Sequence, residues 1–568
     1  MRRLLAPQWL VLCAISWFSV AAPAAESSDA VPDSASVVLR LKAPKTTVGK
    51  LSEFVDAVQP GAGAAVQGGL PALGMGIVNP GLTGVDVEKD WWVITFIESR
   101  QKPAVVFVVP ASDADAMRKA LAPGFQAHIA DQQVFYSDNA EALGKVRDQL
   151  SSKGTGLWSR LDSSSKKLFD NSDVSVLVHL RQLTKSFENE LQQAEPQLDG
   201  FLTQITAAMP DAQRAQFMPM LDMYRVIGKS AVQGVRDSES LALGFSFSKE
   251  IIRFEDRLQV REGTPTAAFF ASQPTAEMSL LARMPANKAL YFGVKADMAG
   301  MIDWSMKMTK LLMGDIPAEK TAQLDSALKE MRTLKWGEMS GYFDLDPSGS
   351  GAIRAGTVAE ITPTNRLRDL GRSMIKAMAE FQSLGFKQTA NLEPAVEKIG
   401  GLEVDRITTS QEFDPGTDPL GIQKKVRDIL FGDAGMVQLV AYQPTRSLQT
   451  FGGGTAELQS LMTALDSTTS KDTAATTARK RLVEKANVVV LVDLPRIVAS
   501  GIKLAAREKV IPVDATVIDR LQLQPSFIGI SVACGPTSAG AQLDIPVEQA
   551  QGIAKIVMLF IGIRGAQQ

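Results

Sequence analysis

The side chains best equipped for acid–base or nucleophilic work are few. Histidine occurs twice, at His128 and His179, and cysteine twice, at Cys13 and Cys534. His179 lies in the alternating segment VSVLVHL (174–180), on the strand face opposite Val176 and Val178. A lone imidazole without a placed partner makes neither a triad nor a metal site, so it reads as a polar step on a strand. His128 stands alone in AHIAD. Two histidines in separate segments exclude an HExxH zinc site, and no GxSxG elbow accompanies them.

Four other stretches carry the right residue types but lack a necessary member. Asp344 to Ser350 (DLDPSGS) has the alternating oxygens that open a calcium loop, yet its twelfth position is Ala355, where a bidentate glutamate is needed. A hairpin turn accounts for these residues. Phe451-Gly452-Gly453-Gly454-Thr455 could offer backbone N–H groups to an anion, but no lysine follows at P-loop spacing, and it reads as a strand-to-helix cap. Ser163-Ser164-Ser165-Lys166-Lys167 has SxxK spacing without SDN or KTG companions and reads as a solvated loop. Cys534 has neither a histidine nor a CxxC partner beside it. The residues thus assign no catalytic, cofactor-binding or metal-ligating position and call for no cofactor. One apolar feature stands out: Met301, Trp304 and Met308 in one segment, with Met220 and Met223 in FMPMLDMYRVIG, could line an adaptable groove for an apolar ligand or a partner helix.

The elements that hold these residues repeat. SVLVHLR (175–181) matches SVVLRLK (36–42) and ALYFGVK (289–295), and KKLFDNSDVSVLVHL (166–180) aligns without gaps to KRLVEKANVVVLVDL (480–494). The alternation puts Val174, Val176, Val178 and Leu180 on the expected buried face. A helical stretch follows each strand, and then a hairpin; LGFSFSKEIIRFEDRLQV (243–260) lines up with IGISVACGPTSAGAQLDI (528–545), Gly244 on Gly529. The expected organisation is a signal peptide over 1–24, a disordered start over 25–34, and α+β units over 35–150, 168–275, 287–465 and 482–568. Polar linkers are expected near 151–167 and over 466–481. Residues from about 35 to 275 repeat the element order of residues from about 287 to 568, as two duplicated halves. The fold class is α+β, with mixed sheets and helices packed mainly on one face.

The strand–helix–helix–strand–strand order of units two and four resembles periplasmic scaffold modules of the polypeptide-transport-associated type. More broadly, the repeated strands resemble secreted bacterial proteins built from tandem strand–helix–hairpin units. That resemblance covers element order alone; it implies secretion and assigns neither a function nor a site.

Compartment and charge agree with it. Arg2 and Arg3, the apolar run Trp9 to Val20, and Ala22-Pro23-Ala24 have the form of an export signal. Its removal leaves Cys534 as the sole thiol, so packing alone must hold the fold. A formal charge of −2, 45% hydrophobic and 21% charged residues offer no broad attraction for nucleic acid or anionic lipid. No later apolar run is long enough to span a bilayer. The expected function is an exported, non-catalytic binding or scaffold protein, periplasmic or extracellular, whose partner is an envelope protein or an apolar ligand. The alternatives are a hydrolase with its site at the junction of the halves, and a carrier using the methionine-rich groove.

Overall fold

The computed structural model describes residues 30–98, 101–152, 156–302, 318–349, 351–377, 379–383, 386–413, 420–467, 472–511 and 513–567. The expected signal segment, Trp304 and Met308 lie outside them. The chain forms two compact units: one runs to Ala194 and adds Val232–Phe270 and Pro536–Val547, and the other comprises Glu195–Ala231, Ala271–Gly535 and Glu548–Gln568.

Short β-branched runs give the first unit β1 (Val37–Leu41), β2 (Trp91–Phe96), β3 (Ala104–Pro110), β4 (Gln126–Ala130), β5 (Gln133–Ser137), β6 (Val174–Val178), β7 (Ser238–Phe247) and β8 (Ile251–Val260). Their order is β4-β5-β3-β2-β1-β6-β7-β8, and the far strand Ser538–Pro546 pairs with β8. In the second unit lie β9 (Leu290–Val294), β10 (Lys335–Leu345), β11 (Ile353–Thr362), β12 (Glu380–Ser383), β13 (Phe386–Ile399), β14 (Leu402–Phe413), β15 (Met436–Gln443), β16 (Arg446–Phe451), β17 (Val488–Val492) and β18 (Ile528–Cys534); the far strand is β19. The order there is β12-β13-β14-β15-β16-β11-β10-β9-β17-β18.

The α+β class holds, with three corrections. Every one of these pairings is antiparallel, so the sheets are not mixed. The helical connection from β1 to β2, which begins with Pro44–Val58, returns the chain to the end of the sheet it left, whereas a parallel neighbour needs a crossover to the opposite end. Helices also cover both faces. In the first unit Trp92, Ile94, Val106 and Val108 pack with Leu143 and Phe169 from two helices, while Trp91, Phe107 and Val109 pack with Ile77 and Met117 on the other side. Val358 and Ile361 divide the second unit's cores in the same way.

The third correction concerns the segments expected to be polar and loose. Residues 163–171 and 473–481 are helices, each capped by an aspartate: Asp162 accepts from the Ser165 amide and Asp472 from the Ala475 amide. Ser165, Leu168 and Phe169 are buried in the first, Ala475 and Ala478 in the second. The end of the first helix lies close against the sheet: a Cβ at Gly244 would stand 2.2 Å from Ser172 Oγ. Ala30 and Val31, expected in a disordered start, are fully buried in the first unit's core.

Candidate functional site: a cross-strand tyrosine pair

His179 is not on a solvent face. The strand ends at Val178, and His179 takes the N-cap position of helix Leu180–Ser186, buried, with its amide donating to Ser36 O at 2.8 Å. The buried face of β6 carries Ser175, Leu177 and His179, the set opposite to the one expected, although Val176 is buried as well. His179 Nδ1 lies 3.2 Å from Ala35 O, and Nε2 has no protein partner. Burial pushes its pKa below the ordinary value; the Ala35 carbonyl, Asp33 and Glu239 pull the other way, and Arg160 adds to the lowering. The residue at the same place after β17, Asp493, caps helix Leu494–Arg507 by accepting from the Arg496 amide. The two positions share the N-cap place, where Asp493 caps through its carboxylate and His179 makes no side-chain cap bond.

The other sequence candidates are also accounted for locally. Asp346 accepts from the Ser348 amide and hydroxyl and from Arg354, so the DLDPSGS turn uses its own oxygens. The glycine run 452–454 takes positive φ at all three positions and opens helix Gly454–Leu465, beside a cleft of about 440 Å³ that Arg354 also lines. That guanidinium is bound to Gly351 O, Ile353 O and Asp346. Cys534 is half-buried, and burial raises its thiol pKa, which opposes thiolate formation. Met220 and Met223 are half-buried on helix Asp211–Asp237, and Met301 is 46% exposed.

One buried polar grouping was not anticipated. Tyr291 on β9 stands directly opposite Tyr342 on β10, both buried on the face covered by helices Gly454–Leu465 and Thr473–Arg481. Tyr342 donates to Glu457 Oε1 at 2.7 Å, and Lys288 Nζ reaches the same oxygen at 2.6 Å. The ammonium also lies 4.6 Å from the centre of the Tyr342 ring, a cation–π contact. The Tyr291 hydroxyl is 2.9 Å from Asp472 Oδ2 and from Pro285 O, and it accepts from the Lys288 amide. Asp472 therefore caps a helix and anchors a phenol at once. At the strand end, Asp344 accepts from Arg496 at 2.8 Å.

Burial pushes both phenol pKa values well above the ordinary tyrosine value, and the neighbouring carboxylates, Asp472 and Glu457, push the same way. Both tyrosines thus remain O–H donors, unsuited to act as bases or phenolate nucleophiles. Desolvation raises the Asp344 pKa, with Arg496 opposing it. A cleft of about 360 Å³ opens beside Lys288, with Ser460, Thr463 and Ser467 on its wall. The arrangement can orient hydrogen bonds; it holds no activated nucleophile.

At the same place in the first unit, Val38 faces Ile94, which in turn faces Val106. The second unit has Tyr291, Tyr342 and Gly356 in that row. Gly356 makes room: a Cβ there would lie 2.6 Å from the Tyr342 ring. The first unit fills its row with aliphatic side chains, and the second fills its own with two tyrosines and a glycine. The repeat alignment carried the signal, since Tyr291 takes the position of Val38, Leu177 and Leu491. No family model matches the chain, and no curated protein or solved structure matches it either.

Proposed function

We propose that this is an exported, non-catalytic binding or scaffold protein built by duplication of one antiparallel framework. The observation that carries the non-catalytic reading is the closure of its most reactive-looking cluster: each phenol, the ammonium and both helix-side carboxylates are paired with one another. The duplication reading is supported by strand order, β5-β3-β2-β1-β6-β7 beside β16-β11-β10-β9-β17-β18. Export is supported by the basic start, apolar run and small-residue site of the first 24 residues.

The test is affinity capture of the mature chain from its own envelope fraction, run beside a panel of ester, glycoside and peptide substrates. A partner recovered in stoichiometric amount, with no turnover, is the expected result. Turnover that disappears in both Tyr342→Phe and Glu457→Gln would overturn the proposal.

A further inference from the structure

Helix Val547–Gln567 carries a run of apolar side chains on the side that faces water. Its base is fixed: Gln549 bonds Asp493 and Ser526, and Gly552 lies against Pro495. Beyond Lys555 the sequence runs Ile556 to Ile563 without a polar side chain. Ile556 is buried, but Val557, Met558, Phe560 and Ile561 are 50%, 60%, 38% and 59% exposed. At 100° per residue these four positions fan through about 160° of the helix surface, where a globular protein ordinarily places charges.

Three features identify the medium that suits this surface. The exposed arc is wider than the a/d seam by which one helix meets another copy, and apolarity on both body and solvent sides marks a helix end solvated by hydrocarbon. Eight residues rise about 12 Å, enough to enter the headgroup and acyl boundary and far short of the roughly 30 Å core, and among the described residues no helix is long and apolar enough to cross a membrane. Lys555, exposed, precedes the run and Arg564 follows it in the sequence, the charge sign that complements lipid phosphate. We infer that the apolar end of this helix inserts into one leaflet of an anionic lipid surface and docks the second unit there. The inference does not depend on the tyrosine cluster or on the duplication.

The test is co-sedimentation of the full mature chain with vesicles of phosphatidylcholine alone or with one third phosphatidylglycerol, at 50 and 300 mM salt. Binding to the anionic vesicles, weaker at high salt, is expected, and Met558→Glu with Ile561→Glu should weaken it by at least about tenfold, since two buried apolar side chains are lost. Circular dichroism and light scattering of the variant establish that it is folded and of the same mass. Wild-type chain that stays with the supernatant in all vesicles refutes the inference. So does a variant that binds as well as wild type, or a wild-type dimer that the variant abolishes while vesicle binding is absent, which would assign the surface to a second copy.

Discussion

Glu457 offers the sharpest test of the energetic reasoning. Its Oε1 serves two donors, the Lys288 ammonium at 2.6 Å and the Tyr342 hydroxyl at 2.7 Å, and the Lys288 and Glu457 side chains are each 12% exposed. Glu457→Leu leaves the ammonium without its counter-charge, which costs about 3–5 kcal/mol for a buried pair. It also orphans a buried phenol, worth about 1–3 kcal/mol. Because one oxygen serves both donors, the two losses overlap and do not add; a total near 4 kcal/mol follows. The triple change Lys288→Met, Tyr342→Phe, Glu457→Leu removes all three polar groups together and should recover to within about 1–2 kcal/mol of wild type, as apolar replacement of buried ion pairs commonly does. Urea unfolding followed by near-ultraviolet circular dichroism measures each variant. A loss below about 1 kcal/mol for Glu457→Leu, or a triple variant no better than the single one, would refute the view that a desolvated, mutually dependent network sits on a framework that does not need it.

Three further outcomes follow from the packing. Replacing the row by the first unit's residues, Tyr291→Val, Tyr342→Ile and Gly356→Val, should give a folded chain by circular dichroism, whereas Gly356→Val alone should lose about 1–3 kcal/mol in urea unfolding through overlap with the Tyr342 ring. His179 is held neutral, its folded pKa below the unfolded one, so its contribution is complete above about pH 6.5 and is lost as pH falls below that toward the folded pKa; nuclear magnetic resonance of the His179 imidazole should show it titrating below the ordinary histidine value, and His179→Asn should flatten that part of the stability profile. Arg253→Ala should destabilise by about 3–5 kcal/mol in urea unfolding, because Asp544 is buried and loses its only counter-charge among these contacts, two hydrogen bonds at 2.8 Å each, keeping the one from Gln542 at 3.0 Å.

Much of the framework could be read from the chain, and the misreadings share a physical origin. Period-2 alternation located β1, β6, β9 and β17, but on strands covered from both sides it does not say which set is the more buried. In β6 the choice fell on Val174, Val176 and Val178, while Ser175, the more buried, donates to Phe169 O beneath a close-packed helix. The same period hid an offset. Gly244 was set on Gly529, yet Gly244 faces Ser175 as Ser531 faces Val489, a shift of two residues that leaves every side chain on its own face. Residues 163–167 and 473–481 read as linker because exposed serine and threonine on the outer side of a short helix look like loop composition, while the aspartates that cap the two helices are common in turns as well. The tyrosine pair was in plain view in ALYFGVK; what the sequence lacked was the identity of its partners, Glu457 and Asp472, 169 and 181 residues away from Lys288 and Tyr291.

The pairing of β8 with β19 has a consequence for how the chain is made. Arg253 waits for a carboxylate 291 residues further on, so synthesis must pass Asp544 before the first sheet can close. Until then β8 presents an open ladder that any passing strand could occupy, and a nascent polypeptide of this kind depends on chaperones, or on being kept extended, throughout its synthesis. Cutting the gene at the apparent midpoint should therefore yield a sticky fragment rather than half a protein.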